Sequence, residues 1–246
     1  MKNSTKKIII SISVVVVVLA TIIGGFFIYV GDYYKADETA LNALNSNELV
    51  KVEFNNDKGY YAFIPNVEYT SAFIFIPGGK VECTAYAPLM QKIAQEGVLC
   101  ILLKVKFNLA ILDQNAPKGI KEDFKEVEKW SIGGHSLGGA VACLYVNKHI
   151  DEFQGLVLMG SFPSKDLSES NLDCVAIYGS NDKVMKKHHF EDNIKNFPKL
   201  TTVHEINGGN HAFFGSYGEQ KGDGKATISN ATQIELAANY SLMVVA

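Results

Sequence analysis

From Ser71 to Ile206 the chain alternates short unbroken apolar runs with segments whose apolar residues recur at helical spacing. The runs at 71–76 and 98–105 show no inside–outside alternation, so these predicted strands must be covered on both faces. Further strands are expected at 130–134, 156–159, 174–178 and 201–206. Helical patterns lie between them at 84–96, closed by Gly97, and at 120–129, 137–149 and 185–196; a last one runs from Ile228 onward. This order leaves few topologies: βαβ units, right-handed crossovers and a parallel sheet between layers of helices. Runs at 48–54 and 60–64 flank the turn-rich Asn55-Asn56-Asp57-Lys58-Gly59 and predict an antiparallel hairpin, which makes the sheet mixed. The expected fold class is α/β.

Ahead of this domain stands an uncharged apolar run, residues 8–30, preceded by Lys2, Lys6 and Lys7. At ~1.5 Å per residue it is long enough to cross a ~30 Å hydrocarbon core. The run exceeds the ~7–15 residues of a secretory h-region and has no clear small-x-small cleavage site. It is therefore expected as an uncleaved single-pass anchor in the cell membrane, with a cleaved signal peptide as the other reading. The flanking lysines place the amino terminus in the cytoplasm and the domain outside it. Residues 1–30 then form the anchor, 31–47 a polar stalk or short helix, and 48–246 the catalytic domain.

The chain's formal charge of −3 speaks against a nucleic-acid partner. Its 23 basic residues are all lysine, so no bidentate arginine fork is available to grip a carboxylate or phosphate. Cys83, Cys100, Cys143 and Cys174 sit far apart, mostly in apolar runs. They read as buried thiols rather than metal ligands. No metal or other cofactor is expected.

Gly134-His135-Ser136-Leu137-Gly138 matches G-x-S-x-G and lies between a predicted strand and a predicted helix. That context makes Ser136 a candidate nucleophile on a tight turn, at a helix amino terminus that favours developing negative charge. A serine hydroxyl needs a positioned base. Of six histidines, His211 alone follows the last strand in a flexible loop, Asn207-Gly208-Gly209-Asn210-His211, at the same sheet edge as Ser136. His135 is expected to point away from the serine, His149, His188 and His189 to be solvated, and His204 to lie within a strand. Asp182 leaves the strand at 174–178 from its carboxyl end and is the expected orienting acid, with Glu205 as its rival. Two N–H donors should face the oxyanion: that of Leu137, and one from Pro77-Gly78-Gly79-Lys80, with Gly79 favoured and Lys80 next.

From about Leu49 onward the chain resembles an α/β-hydrolase, in particular the small lidless bacterial branch related to dienelactone hydrolases. The resemblance is carried by Ile76-Pro-Gly-Gly-Lys80, Ala85-Tyr-Ala-Pro88, Phe107-Asn-Leu-Ala110, Gly133-Gly-His-Ser-Leu-Gly-Gly139 and the stretch from Gly208 through His211 to Gly218. The order Ser136, Asp182, His211 is the one this fold uses. Two positions depart from the family pattern. Pro77-Gly78 stands where the family has His-Gly, and Ser136 stands where dienelactone hydrolases have cysteine. In this fold a substrate-covering cap is commonly inserted where residues 161–173 lie, and thirteen residues are too few to build one. Phe213, Phe214 and Tyr217 could line an acyl pocket or simply pack the histidine loop.

The implied function is hydrolysis of a small-molecule carboxylic ester or thioester through an acyl-serine intermediate. The same three residues would also serve an acyltransferase or peptidase acting on envelope material. A membrane-tethered binding module that keeps only the fold is the reading from a different class.

Overall fold

The computed structural model describes the backbone of residues 2–246 and the side chains of residues 11–246. Two compact units divide the chain, one ending at Tyr33 and the other running from Tyr34 to Ala246. The first is helix α1, Lys2–Gly31. Within it the 21 residues Ser11–Gly31, with a mean hydropathy of 2.6, are long and apolar enough to cross a membrane. The lysines that set the expected orientation have side chains outside the described residues.

The second unit begins inside the stretch expected as a stalk. Tyr34 bridges to Val81, and its ring lies 5.5 Å from that of Tyr217. Helix α2, Glu38–Asn42, starts at Asp37, whose carboxylate accepts the Ala40 N–H at 2.9 Å. Capping of this kind satisfies a helix donor that has no partner of its own.

Eight strands form one sheet: β1 Val50–Asn55, β2 Tyr60–Pro65, β3 Ser71–Ile76, β4 Leu99–Leu103, β5 Lys129–His135, β6 Gly155–Met159, β7 Asp173–Gly179 and β8 Leu200–Ile206. Their order is β1-β2-β4-β3-β5-β6-β7-β8. The pairs β1–β2 and β2–β4 are antiparallel, and every other pair is parallel. The expected hairpin and mixed sheet are both present. One face is covered by α3 (Ala87–Gln95) and α6 (Asn230–Val245), the other by α4 (Leu137–Val146) and α5 (Lys187–Asp192). Ser71–Ile76 is buried at all six positions, as a strand covered on both faces must be.

Two predicted helices are corrected. Residues 120–129 form only a 3₁₀ turn, Lys121–Asp123, before β5 begins at Lys129. Tertiary contacts override the helical spacing there. The Asp123 carboxylate is held by Lys58 at 2.6 Å and by the Tyr60 hydroxyl at 2.8 Å, while Ile120 and Val127 are buried in the core. The helix expected over 185–196 shortens to Lys187–Asp192 with a 3₁₀ turn at Ile194–Asn196. Its beginning is lost because the N–H groups of Val184 and Met185 donate to Asp182 instead. All four cysteines are buried and unpaired.

Candidate active site

Strand β5 ends at His135 and α4 starts at Leu137, so Ser136 alone makes the turn, at φ 53° and ψ −120°. A non-glycine residue in this region stores strain of ~1–3 kcal/mol, which the surroundings must hold. The flanking glycines are required by contact. A Cβ at Gly134 would sit 2.5 Å from the Ile76 carbonyl oxygen, and one at Gly138 only 2.1 Å from it. Any side chain at either position would collide with β3.

Asp182 follows β7 and His211 follows β8, and the two meet. His211 Nδ1 lies 2.7 Å from Asp182 Oδ2, with the side chains 1% and 2% exposed. The other carboxylate oxygen accepts the Val184 and Met185 N–H groups at 2.9 and 2.8 Å, which fixes the carboxylate plane. The opposite ring nitrogen, His211 Nε2, is buried without a hydrogen-bond partner among the described residues. Glu205 is exposed on β8 and engages Tyr178 rather than the histidine. Gly160, directly after β6 with φ 51°, leaves the room this pair occupies: a Cβ there would be 2.9 Å from His211 Nδ1.

The Pro77–Lys80 loop has its donors sorted by hydrogen bonding. The Gly78 N–H donates to the Tyr86 hydroxyl at 3.1 Å and the Lys80 N–H to the Asn108 carbonyl at 2.7 Å. The Gly79 N–H between them has no acceptor among the described residues, and neither has that of Leu137. A Cβ on Gly79 would be 2.9 Å from the Leu137 side chain, so the two residues lie against one another.

His135 turns into the core. It is 1% exposed, its Nδ1 lies 2.8 Å from the Tyr86 hydroxyl, and its ring centroid is 4.4 Å from that of His211. Burial, reinforced by the neighbouring His211, holds it well below the ordinary histidine range and keeps it neutral. The other histidines divide. His188 and His189 are exposed as expected, His204 stacks on Tyr240, and His149 is half-buried against Tyr145 with its ring bonded to Glu152.

Two further residues, Asp223 and Gln233, unmarked by any motif, hold the loops, the second through Asn210. Asp223 accepts the N–H of Lys183 at 3.2 Å and of Ala212 at 2.9 Å, the residues that follow Asp182 and His211. One carboxylate thus ties both loops together. Gln233 on α6 accepts the Asn210 N–H and donates to the Asn210 carbonyl, while the Asn210 side chain accepts from Phe213. Only the folded chain brings these partners together, so spacing could not have marked them.

Ser136, Leu137 and His211 line a cavity of about 360 Å³ with Ala140, Phe162, Val184, Met185 and the rim residues Lys186 and His189. Its walls are mostly apolar. Larger cavities exist, for example 520 Å³ between Ile150 and Asp173, but that one holds neither a serine–histidine pair nor a free donor loop. Phe214 and Tyr217 are buried packing residues, and Phe213 lines a different cavity beside Asn210. The acyl-pocket reading of these aromatics is thereby replaced by the packing one. The link from β6 to β7 contains no helix or strand.

The alpha/beta hydrolase family profile matches residues 72–235, from β3 into α6, and the chain belongs to that family. No curated protein matches it by sequence. Among solved structures, a dienelactone hydrolase from Anabaena variabilis aligns with a TM-score of 0.59 and 15% identity, covering 81% of this chain and all of that one. Est1E from Butyrivibrio proteoclasticus, solved with ferulic acid bound, aligns with a TM-score of 0.59 and 12% identity, covering 79% and 96% of the two chains. At such identities the likeness is one of fold. Family and fold together support a hydrolase.

Proposed function

We propose that the protein is a serine hydrolase that cleaves a carboxylic ester or thioester through an acyl-serine intermediate. The observation that carries this reading is His211: Nδ1 is bonded to Asp182, and Nε2 is left unpartnered in the cavity that Ser136 lines. Apo geometry of this sort often tightens only once substrate is bound.

In the proposed mechanism His211 Nε2 takes the Ser136 proton as the hydroxyl oxygen attacks the carbonyl carbon. Asp182 holds the Nδ1–H tautomer and stabilises the imidazolium that forms. The N–H groups of Leu137 and Gly79 receive the developing oxyanion, helped by the positive end of α4. His211 then returns the proton to the leaving group, and a water activated by the same nitrogen releases the acyl group. Helix α1 would anchor the enzyme in the cell membrane with this domain on the extracytoplasmic side.

Fluorophosphonate labelling of the purified chain tests the reading. Labelling is expected in the wild type and should vanish in Ser136→Ala, with circular dichroism unchanged. Undiminished labelling of that variant would refute the assignment, and an unreactive wild type would favour a binding module.

A further inference from the structure

The Ser136 cavity has an uneven lining. Its walls are apolar, built mainly by Leu137, Phe162, Val184 and Met185, yet its rim carries Lys186 and His189. Both rim residues are exposed. Lys186 makes no ion pair or side-chain hydrogen bond among the described residues, whereas Lys58, Lys106, Lys121 and Lys199 are each held by a carboxylate. Two nearby acids are committed elsewhere: Asp182 is bonded to His211 and Asp223 to backbone N–H groups. Glu191 and Asp192 follow His189 on α5. From Lys183 to His189 the chain has three lysines, two histidines and no carboxylate, in a protein with a net charge of −3. Two residues of this lysine-rich stretch, Lys186 and His189, therefore lie at the cavity that Ser136 lines.

We propose that this cavity takes an acyl group that is apolar along its length and anionic at its far end, with Lys186 meeting the charge and His189 beside it. The proposal rests on the hydrolase reading and narrows its substrate class to hemiesters or thioesters of small dicarboxylic acids. Lysine suits the position. Its flexible stem can lie along apolar wall while the ammonium stays at the wet rim, as a point charge that demands no fixed geometry. A volume of about 360 Å³ lies near the low end of ligand cavities, which run ~300–1,000 Å³, so the acyl group is short. A neutral short chain would fill the walls equally well but gain nothing from the rim.

The test compares the para-nitrophenyl hemiester of glutaric acid with para-nitrophenyl valerate, two acyl groups of equal chain length that differ in terminal charge. With the full chain in neutral detergent at low salt, kcat/KM should favour the anionic ester by about fivefold, the upper range for one solvent-exposed charge pair. The preference should shrink towards unity in about 1 M salt and in Lys186→Gln, and should reverse in Lys186→Glu. Lys129→Gln, exposed at the far end of β5, should keep it. A second pair, the butyrate esters of meta-hydroxybenzoate and of phenol, moves the charge to the leaving group and should show no comparable preference. Turnover of valerate with no preference for the hemiester, or a preference confined to the leaving group, overturns the proposal and leaves the hydrolase reading standing. A preference that survives Lys186→Gln overturns the role of Lys186. Absence of both turnover and fluorophosphonate labelling removes the hydrolase reading itself.

Discussion

The two edges of the parallel sheet are built from the same strands and share backbone hydrogen bonds between connections, but the carboxyl edge adds a network of side-chain bonds. At the amino edge, connections are made by backbone hydrogen bonds such as Gln154 to Trp130 and Asp173 to Gln154, supplemented by exposed ion pairs. Lys199 and Glu169 pair at 2.9 Å with side chains 67% and 85% exposed. At the carboxyl edge, buried and half-buried side chains bond the backbone of the loops: Tyr86 takes Gly78, Asp182 takes Val184 and Met185, Asp223 takes Lys183 and Ala212, and Gln233 takes Asn210. Buried polar networks are costly when incomplete and rigid when complete. A fold needs this rigidity only where several side chains must be placed within fractions of an ångström. The contrast thus marks the edge that carries the candidate site independently of any motif.

The sharpest test of the contrast is Asp182→Asn. Loss of this carboxylate should lower kcat by at least ~10²-fold with little change in KM, because the interaction is made mainly in the transition state. Glu205→Gln, on exposed β8, should be near normal in the same assay. The opposite pattern would move the acid to Glu205.

Asp223→Asn probes the clamp rather than the chemistry. It weakens an acceptor shared by the loops of Asp182 and His211, and leaving a buried N–H poorly paired costs ~1–3 kcal/mol. About a tenfold fall in kcat is expected, with KM nearly unchanged and partial recovery in Asp223→Glu. A change confined to KM would show that Asp223 does not position the pair.

His135 gives the edge a pH dependence. Its folded-state pKa is depressed by burial and by His211, while in the unfolded chain it titrates near ~6.5. Below that value the unfolded state binds the extra proton, so the contribution is intact above pH ~6.5 and is lost as the pH falls. Between pH ~6.5 and ~5 the loss should be at most about 1.6 kcal/mol. Urea unfolding at the two pH values should show His135→Gln losing less stability on acidification than the wild type. Equal losses would mean that His135 is protonated in the native state.

At the amino edge the expected effect is smallest. Lys199→Ala should change stability by no more than ~0.5 kcal/mol and leave turnover unaltered, since exposed ion pairs contribute little. A larger effect would erase the distinction between the two edges.

Local sequence alone determined the strands, their mixed arrangement and the elbow at Ser136. A strand buried on both faces must be a continuous apolar run, and a turn pressed against β3 tolerates only glycine at positions 134 and 138. Asp182 and His211 were legible for a similar reason, because each directly follows a strand and topology carries it to the carboxyl edge. The boundaries at 120–129 and 185–196 were misread: long-range bonds to Asp123 overrode helical spacing in the first, and local capture of the Val184 and Met185 N–H groups by the Asp182 side chain did so in the second. In the Pro77–Lys80 loop the sequence favoured Gly79 with Lys80 next, and tertiary structure decided between them, because Tyr86 and Asn108 take the donors on either side of Gly79. Tertiary structure alone brought Asp223 and Gln233 to the histidine loop, 11 and 23 residues from their backbone partners. Hydrogen bonds and close contacts act through space, and a one-dimensional pattern records them only where the chain's own periodicity dictates the neighbour.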